Sequence, residues 1–142
     1  MKKLDFSKPR YFNNRELSWL AFNDRVLEEA RDKNNPLLER VRFLGITQSN
    51  LDEFFNIRVA SLKKMVTVNY DKPDAAGMKP QEQLDAISKT AHEMVEKQYN
   101  TLVRSLIPKL NAVDIQLLHA KDLTQKQQDL CRIIFTMSFI RY

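Results

Sequence analysis

Apolar side chains recur every three to four residues along most of the chain, which is the period of an α-helix. The first apolar stripe follows Asn13 or Asn14, either of which can cap a helix, and runs to about Asp32. Two polar residues, Glu16 and Asn23, fall inside this stripe, seven residues apart and therefore on one face. Because buried polar groups are hydrogen-bonded, we expect this pair to have partners or to lie at an opening to solvent.

Two further helices are predicted before residue 70. The first runs from Pro36 to Leu44 and ends at Gly45, since glycine tolerates the left-handed backbone of a helix C-terminus. The second runs from Leu51 to about Val68. Together with the first helix they predict a small antiparallel bundle of three helices.

The stretch that ends the first of these helices and opens the second, residues 45–55 (GITQSNLDEFF), carries two helix-capping signals. Ser49 and Asn50 are strong N-cap residues, and each has an acid three positions on, Asp52 and Glu53. A loop held at a helix N-terminus favours anionic or hydrogen-bonding ligands, because free N–H groups and the positive dipole end point towards it. A purely structural capping loop is the plainer interpretation of the same residues.

One charge, Arg58, lies within the apolar stripe of the third predicted helix, among residues such as Phe54 and Leu62. An isolated buried charge is too costly, so Arg58 either reaches solvent or finds an acidic partner. Glu16 is the candidate partner, because both opposite charges lie on helices that we expect to pack together.

Beyond residue 68 the chain first becomes loop-like. Residues 69–80 contain two aspartates, two prolines and one glycine. A long helical stripe then covers residues 81–106 and is expected to stop at Pro108. Residues 113–119 alternate briefly between polar and apolar side chains, as an extended connector or a short strand does.

A last helix is predicted after a capping box formed by Thr124 and Gln127. It is apolar on nearly all sides, with Leu130, Ile133, Ile134, Met137 and Ile140 on one side and Cys131, Phe135, Phe139 and Tyr142 on the other. Such a helix belongs inside something larger, so we expect a longer protein to bury it.

These elements predict an all-α fold. Residues 1–106 form an N-terminal helical domain, comprising the three-helix unit to about residue 70, the loop 69–80 and the long helix 81–106. Residues 107–142 are the connector and the first helix of the next domain, cut short.

Composition and charge are those of a globular protein with anionic partners. Apolar residues make up 43% and charged residues 29% of the chain, and two glycines without hairpin signals disfavour β-rich folds. The net charge of +5 suggests nucleic acid, phosphorylated ligands or an acidic protein surface. A single cysteine excludes an internal disulfide, and no apolar run approaches the ~20 residues that span a bilayer. Asp5 and Lys8 lie where a signal peptide would need an apolar core, so we expect a cytoplasmic protein.

No catalytic or metal-binding motif is present in the sequence. There is no glycine-rich phosphate loop, no His-Glu-x-x-His and no cysteine pair. His92 lies at the edge of the long helical stripe without ligands at metal-binding spacing, and we interpret it as a surface residue. Four basic residues are interpreted as a solvated face, because no stacking aromatics are interleaved with them: Arg40, Arg42, Lys63 and Lys64.

Three segments resemble a known family in the same order. Residues 14–30 (NRELSWLAFNDRVLEEA), residues 35–46 (NPLLERVRFLGI) and residues 49–55 (SNLDEFF) with Arg58 are similar to the opening of bacterial polyphosphate kinase, the family that works through a phosphohistidine. The similarity of motifs covers about the first half of the chain. The second half is similar only in its pattern of helices.

The resemblance implies an enzyme that reversibly transfers the terminal phosphoryl group of ATP to inorganic polyphosphate. In that family a histidine far downstream carries the phosphoryl group, with magnesium neutralising phosphate charge. Neither His92 nor His119 matches that histidine, so residues 1–142 alone are expected to be inactive. The small helical N-terminal domain of the family helps to close the adenine end of the nucleotide pocket, and its nucleotide-contacting asparagine corresponds to Asn50. We expect a homo-oligomer that binds ATP and polyphosphate but no nucleic acid, with peripheral membrane association left open.

Two other function classes fit parts of the pattern. A helical adaptor for an acidic partner would fit the charge and the absence of catalytic motifs. A nucleic-acid-binding helical domain would fit the isoelectric point near 9.4 and would bind less tightly as salt rises. Neither class accounts for three matching segments.

Overall fold

The chain is all-α, as predicted. A computed structural model describes residues 5–139, and their side chains as far as residue 137, without any strand in that range. The α-helices are α1 Arg15–Arg31, α2 Leu37–Glu53, α3 Ala60–Thr67, α4 Pro80–Thr101, α5 Ile107–Asn111 and α6 Gln125–Phe139. Two π-helical stretches, Phe54–Val59 and Leu102–Leu106, and two 3-10 turns, Pro9–Tyr11 and Ala120–Asp122, complete the elements. The chain divides into two compact units, Met1–Lys109 and Leu110–Tyr142.

The first helix begins at a well-formed cap. Asn14 Oδ1 accepts hydrogen bonds from the backbone N–H groups of Glu16 and Leu17, at 3.0 and 2.9 Å. Its Nδ2 donates to Asp74 Oδ2 at 2.7 Å, which ties the start of α1 to the loop before α4. Of the two candidate caps, the structure therefore uses Asn14.

The predicted helix end at Gly45 is wrong. Helix α2, the π-helical stretch Phe54–Val59 and α3 follow one another without a break, so Ser49 and Asn50 lie inside a helix and cap nothing. Gly45 does not have the positive φ that a helix-ending glycine adopts. The apolar stripe continues through this region, with Thr47 and Leu51 buried, and its burial outweighs local capping preferences.

The π-helical stretch keeps this long helix facing the core. Phe54 and Val59 are both buried although they are five residues apart, a spacing that α-helical geometry would place about 140° apart. The wider π turn brings them to the same side. The core of the first unit combines them with other apolar side chains: Leu20, Leu27, Ala30, Leu51, Leu62, Ile87 and Met94.

Arg40 is not on a solvated face, contrary to the prediction. Only 2% of the residue is exposed. Its Nε donates to the backbone carbonyl of Ala30 at 2.9 Å and its Nη2 to Ser105 Oγ at 3.2 Å. The last carbonyls of α1 lack helical partners, and a guanidinium both satisfies one of them and complements the negative end of the helix dipole.

The helix predicted for residues 81–106 also does not stop at Pro108. After α4, the π-helical stretch Leu102–Leu106 leads directly into α5, which contains the proline. A proline ring clashes with the carbonyl four residues earlier and cannot donate a hydrogen bond. The preceding turn already uses a longer-range pairing, since the Ile107 N–H bonds to the Leu102 carbonyl, and this widened geometry accommodates the ring.

In the second unit, residues 112–114 form a turn and residues 115–119 have no regular secondary structure, so the strand considered for residues 113–119 is not formed. The predicted capping box is present: Thr124 N donates to Gln127 Oε1 at 2.8 Å, and Gln127 N donates to Thr124 Oγ1 at 3.4 Å. Helix α6 exposes several apolar side chains, among them Leu130, Ile133, Ile134 and Met137. Ile140, Tyr142 and the side chain of Phe139, which were predicted to extend its apolar surface, lie outside the described residues.

No helix within residues 5–139 combines the length and the apolar character that crossing a membrane requires.

Gly45→Ala tests the continuity of the long helix. A Cβ at Gly45 would have no neighbouring atom within 4 Å, and alanine is favoured over glycine inside a helix. We expect the free energy of unfolding of the chain to rise by about 0.5–1 kcal/mol, measured by urea denaturation. A helix end at Gly45 would give the opposite sign.

Candidate functional site

The first unit contains an open cleft of about 460 Å³. It lies between α1 and the continuous helix formed by α2, the π-helical stretch Phe54–Val59 and α3. Its lining combines polar and charged side chains with apolar ones. The polar and charged residues are Arg15, Glu16, Asn50, Glu53, Arg58 and Ser61, and the apolar ones are Trp19, Phe22, Phe54, Ile57, Leu62 and Met65. The candidate nucleotide contact Asn50 and both members of the candidate ion pair, Glu16 and Arg58, therefore line the same cleft.

Arg58 and Glu16 are brought together at one end of the cleft. Arg58 Nη1 donates to Glu16 Oε2 at 3.1 Å. The other carboxylate oxygen, Oε1, accepts from Arg15 Nε and Nη2 at 2.9 and 2.7 Å. The Glu16 side chain is only 6% exposed, whereas that of Arg58 is 34% exposed and that of Arg15 81% exposed. The buried carboxylate thus has two cationic partners of very different exposure.

Two stacked aromatic rings form an apolar wall of the cleft. The Trp19 and Phe54 ring centroids are 4.6 Å apart and the ring planes are inclined by 11°. Phe54 is fully buried, and Trp19 is half-buried. The Arg58 guanidinium carbon lies 5.9 Å from the Trp19 ring centroid, within the range of a cation–π interaction.

The Asn50 side chain on α2 contacts α1. Its Nδ2 donates to Asn23 Oδ1 at 2.9 Å. Its own Oδ1 accepts no hydrogen bond from any of residues 5–139, and the half-buried side chain lines the cleft. Asp52 and Glu53, predicted as partners of a helix N-terminus, have no such terminus beside them. Asp52 Oδ1 instead accepts from Gln48 Nε2 at 2.9 Å, and Glu53 lines the cleft.

The hydrogen-bond partner of Asn50, Asn23, lies in the core of the first unit. It is completely buried, and its Nδ2 donates to the Thr47 backbone carbonyl at 3.1 Å and lies 3.6 Å from the Met94 sulfur. The sequence pattern marked Asn23 as a polar residue that needs a partner, but not which one. The spacing of Thr47 and Asn50 gives the missing signal, because residues three apart share a helix face once the helix is continuous.

The side chains of the cleft can bind a ligand. Within residues 5–139, no three histidine, cysteine, aspartate or glutamate side chains come together as metal ligands. His92 is exposed and outside the cleft, with Nδ1 2.7 Å from the Ser88 carbonyl oxygen. An amide, a guanidinium, carboxylates and an aromatic wall can hold a planar polar ligand by hydrogen bonds and packing.

Residues 12–118 match the model of a family described as the polyphosphate kinase N-terminal domain. Among curated proteins, the polyphosphate kinase of Lactiplantibacillus plantarum is 61% identical over 132 residues, and that of Halalkalibacterium halodurans 50% identical over 126 residues. These alignments cover 93% and 88% of this chain. The chain spans 18% of the length of each of these relatives.

The fold is similar to part of a solved structure, the crystal structure of polyphosphate kinase from Porphyromonas gingivalis. The TM-score is 0.67 at 32% sequence identity, over 91% of this chain and 18% of that one.

Arg58→Ala tests the ion pair in the cleft. The variant removes a charged hydrogen bond from a buried carboxylate, but Arg15 remains beside it, and Arg58 is one-third exposed. We therefore expect a loss of about 1–2 kcal/mol in the free energy of unfolding, less than the ~3–5 kcal/mol typical of a fully buried pair.

The matched control is Arg15→Ala. Arg15 contacts the same carboxylate, but its side chain is largely exposed to solvent. It should cost less than about 1 kcal/mol. Equal losses in the free energy of unfolding for the two variants, measured by denaturant titration, would contradict a larger stabilising contribution from Arg58 than from Arg15.

Proposed function

The chain belongs to the family of the polyphosphate kinase N-terminal domain, and from this premise we propose that it forms the adenine end of an ATP pocket in a longer enzyme. That enzyme reversibly transfers the terminal phosphoryl group of ATP to inorganic polyphosphate. The chain itself contributes binding groups and no catalytic residue.

The observation that supports this proposal is the Asn50 amide in the lining of the cleft, whose carbonyl oxygen has no hydrogen-bond donor among residues 5–139. Oδ1 accepts no hydrogen bond from residues 5–139, although the side chain is half-buried and its amino end is held by Asn23. This oxygen is not among the fully buried unpaired side-chain atoms of residues 5–139, so a ligand or water can reach it and supply a donor. The exocyclic amino group of adenine is such a donor. The half-buried Trp19 ring, stacked on buried Phe54, supplies an apolar wall of the same cleft for a planar base.

Magnesium and the phosphoryl carrier belong to other parts of the proposed enzyme. Residues 5–139 bring no three acidic, cysteine or histidine side chains together, and we assign Mg²⁺ to the residues that hold the phosphates of ATP. The polyphosphate chain, which needs many cationic contacts, is likewise assigned to the remainder. The same family membership leads us to expect a homo-oligomeric, cytoplasmic enzyme.

The division of labour predicts that residues 1–142 alone are inactive. Without a phosphorylated histidine, the purified chain should neither synthesise polyphosphate nor become labelled by ATP carrying radioactive γ-phosphate. A stable phosphoprotein formed by this chain would contradict the assignment of the chemistry to other residues.

Asn50→Ser in the complete enzyme tests the nucleotide contact. Serine is too short to keep the amide contacts, so the apparent KM for ATP should rise by about two- to tenfold, the range for one neutral hydrogen bond. The apparent KM for polyphosphate should stay the same. Because Asn23 also loses a partner, the free energy of unfolding should fall by about 1–3 kcal/mol, so kinetics are measured well below the melting temperature.

The control is Ser49→Ala, one residue earlier on an exposed position of the same helix. It should leave both KM values unchanged. ATP kinetics of Asn50→Ser equal to those of the wild type would reduce this part of the molecule to a structural role.

A further inference from the structure

We propose that Asn23 is a positioning residue that sets base specificity: it orients the Asn50 amide so that a carbonyl oxygen faces the cleft. This orientation favours a base with an exocyclic amino group, such as adenine, over one with a carbonyl at that place, such as guanine. The inference rests on the proposed nucleotide contact of Asn50 and names the residue that gives this contact its direction.

The hydrogen bonds that orient the Asn50 amide begin at a backbone carbonyl, that of Thr47. The oxygen of Thr47 belongs to helix α2 and cannot rotate, and Thr47 is completely buried. Asn23 places its Nδ2 3.1 Å from this oxygen and 3.6 Å from the Met94 sulfur. Both neighbours are acceptors, so a flipped Asn23 amide would put an oxygen against two acceptors without solvent to relieve it.

The orientation of Asn23 then determines that of Asn50. With its Nδ2 held by Thr47, Asn23 presents only its Oδ1 towards Asn50. An acceptor requires a donor, so Asn50 points its Nδ2 inward, 2.9 Å from Asn23 Oδ1. Its own Oδ1 is then the end of the amide that has no donor among residues 5–139, on a side chain that lines the cleft. A free asparagine amide can turn by 180° at little cost, whereas this one is held by two successive hydrogen bonds that begin at the backbone.

The oxygen at the cleft discriminates between purines by elementary hydrogen bonding. Adenine carries an amino group, a donor, at the ring position where guanine carries a carbonyl, an acceptor. The Asn50 oxygen can accept from the first and would face the lone pairs of the second. If the amide were free, it could turn and donate to guanine, and much of the discrimination would be lost.

The test is Asn23→Leu in the complete enzyme, assayed with ATP and with GTP. Leucine is similar in size but offers no acceptor, so the Asn50 amide is free to turn. We expect the ratio of kcat/KM for ATP to that for GTP to fall by about two- to tenfold. The change should come from KM and not from kcat, because the base is remote from the transferred phosphoryl group.

Ile87→Val is the control for core perturbation, since Ile87 is a buried residue of the same core and makes no hydrogen bond to Asn23 or Asn50. It should keep the wild-type ratio. An unchanged ratio in folded Asn23→Leu, or an equal fall in Ile87→Val, would overturn the proposal. Asn23→Ala, which also lacks the acceptor but places no larger apolar side chain in the site, is the second variant and carries the same expectation.

The wild-type chain allows a measurement that needs no variant. Side-chain amide protons of Asn23 and Asn50 should exchange with solvent more slowly than those of exposed Asn34 in nuclear magnetic resonance spectra of residues 1–142. Fast exchange at both would overturn the proposal even if the variants failed to fold. If Asn50→Ser raises the KM for ATP while Asn23→Leu keeps the ATP-to-GTP ratio, this inference fails and the proposed function stands. If Asn50→Ser leaves the KM for ATP unchanged, both fail.

Discussion

The need to satisfy one buried amide, that of Asn23, organises the centre of the first unit. Asn23 is completely buried on α1, its donor faces the Thr47 carbonyl and the Met94 sulfur, and its acceptor faces Asn50. Three helices, α1, α2 and α4, therefore meet at a point where apolar packing alone would permit several registers. A polar group that is costly to leave unpaired selects one of them.

The same physical rule acts at both ends of α1. Near its start, buried Glu16 pairs with Arg58 of the π-helical stretch Phe54–Val59 and with Arg15. At its end, buried Arg40 donates to the Ala30 carbonyl and to Ser105 beyond α4. The apolar core supplies most of the driving force for packing, while these contacts fix how far the helices slide and turn against each other. The cleft lies where two of these polar contacts, around Glu16 and around Asn50, are close enough to line one opening.

Sequence patterns were most informative where a single helix carries its own signal. The cap at Asn14, the extent of α1 and the capping box at Thr124 follow from local chemistry, and the apolar stripe of α1 marked Glu16 and Asn23 as residues in need of partners. Gly45 and Arg40 were misinterpreted for the opposite reason. A glycine and capping residues favour a helix end locally, and an arginine favours solvent locally. Packing of α2 against α1 and against the stretch Leu102–Leu106 decided both. The direct contact between Asn23 and Asn50 could not be predicted because it required α2 to continue through Gly45.

A crystal structure of the complete enzyme with a non-hydrolysable ATP analogue tests the central claim most directly. If the buried amide of Asn23 directs Asn50 towards the base, the exocyclic amino nitrogen of adenine will lie about 2.7–3.2 Å from Asn50 Oδ1, with Asn50 Nδ2 still bonded to Asn23. An adenine bound away from this cleft, or one that faces the Asn50 amino group, would contradict the account.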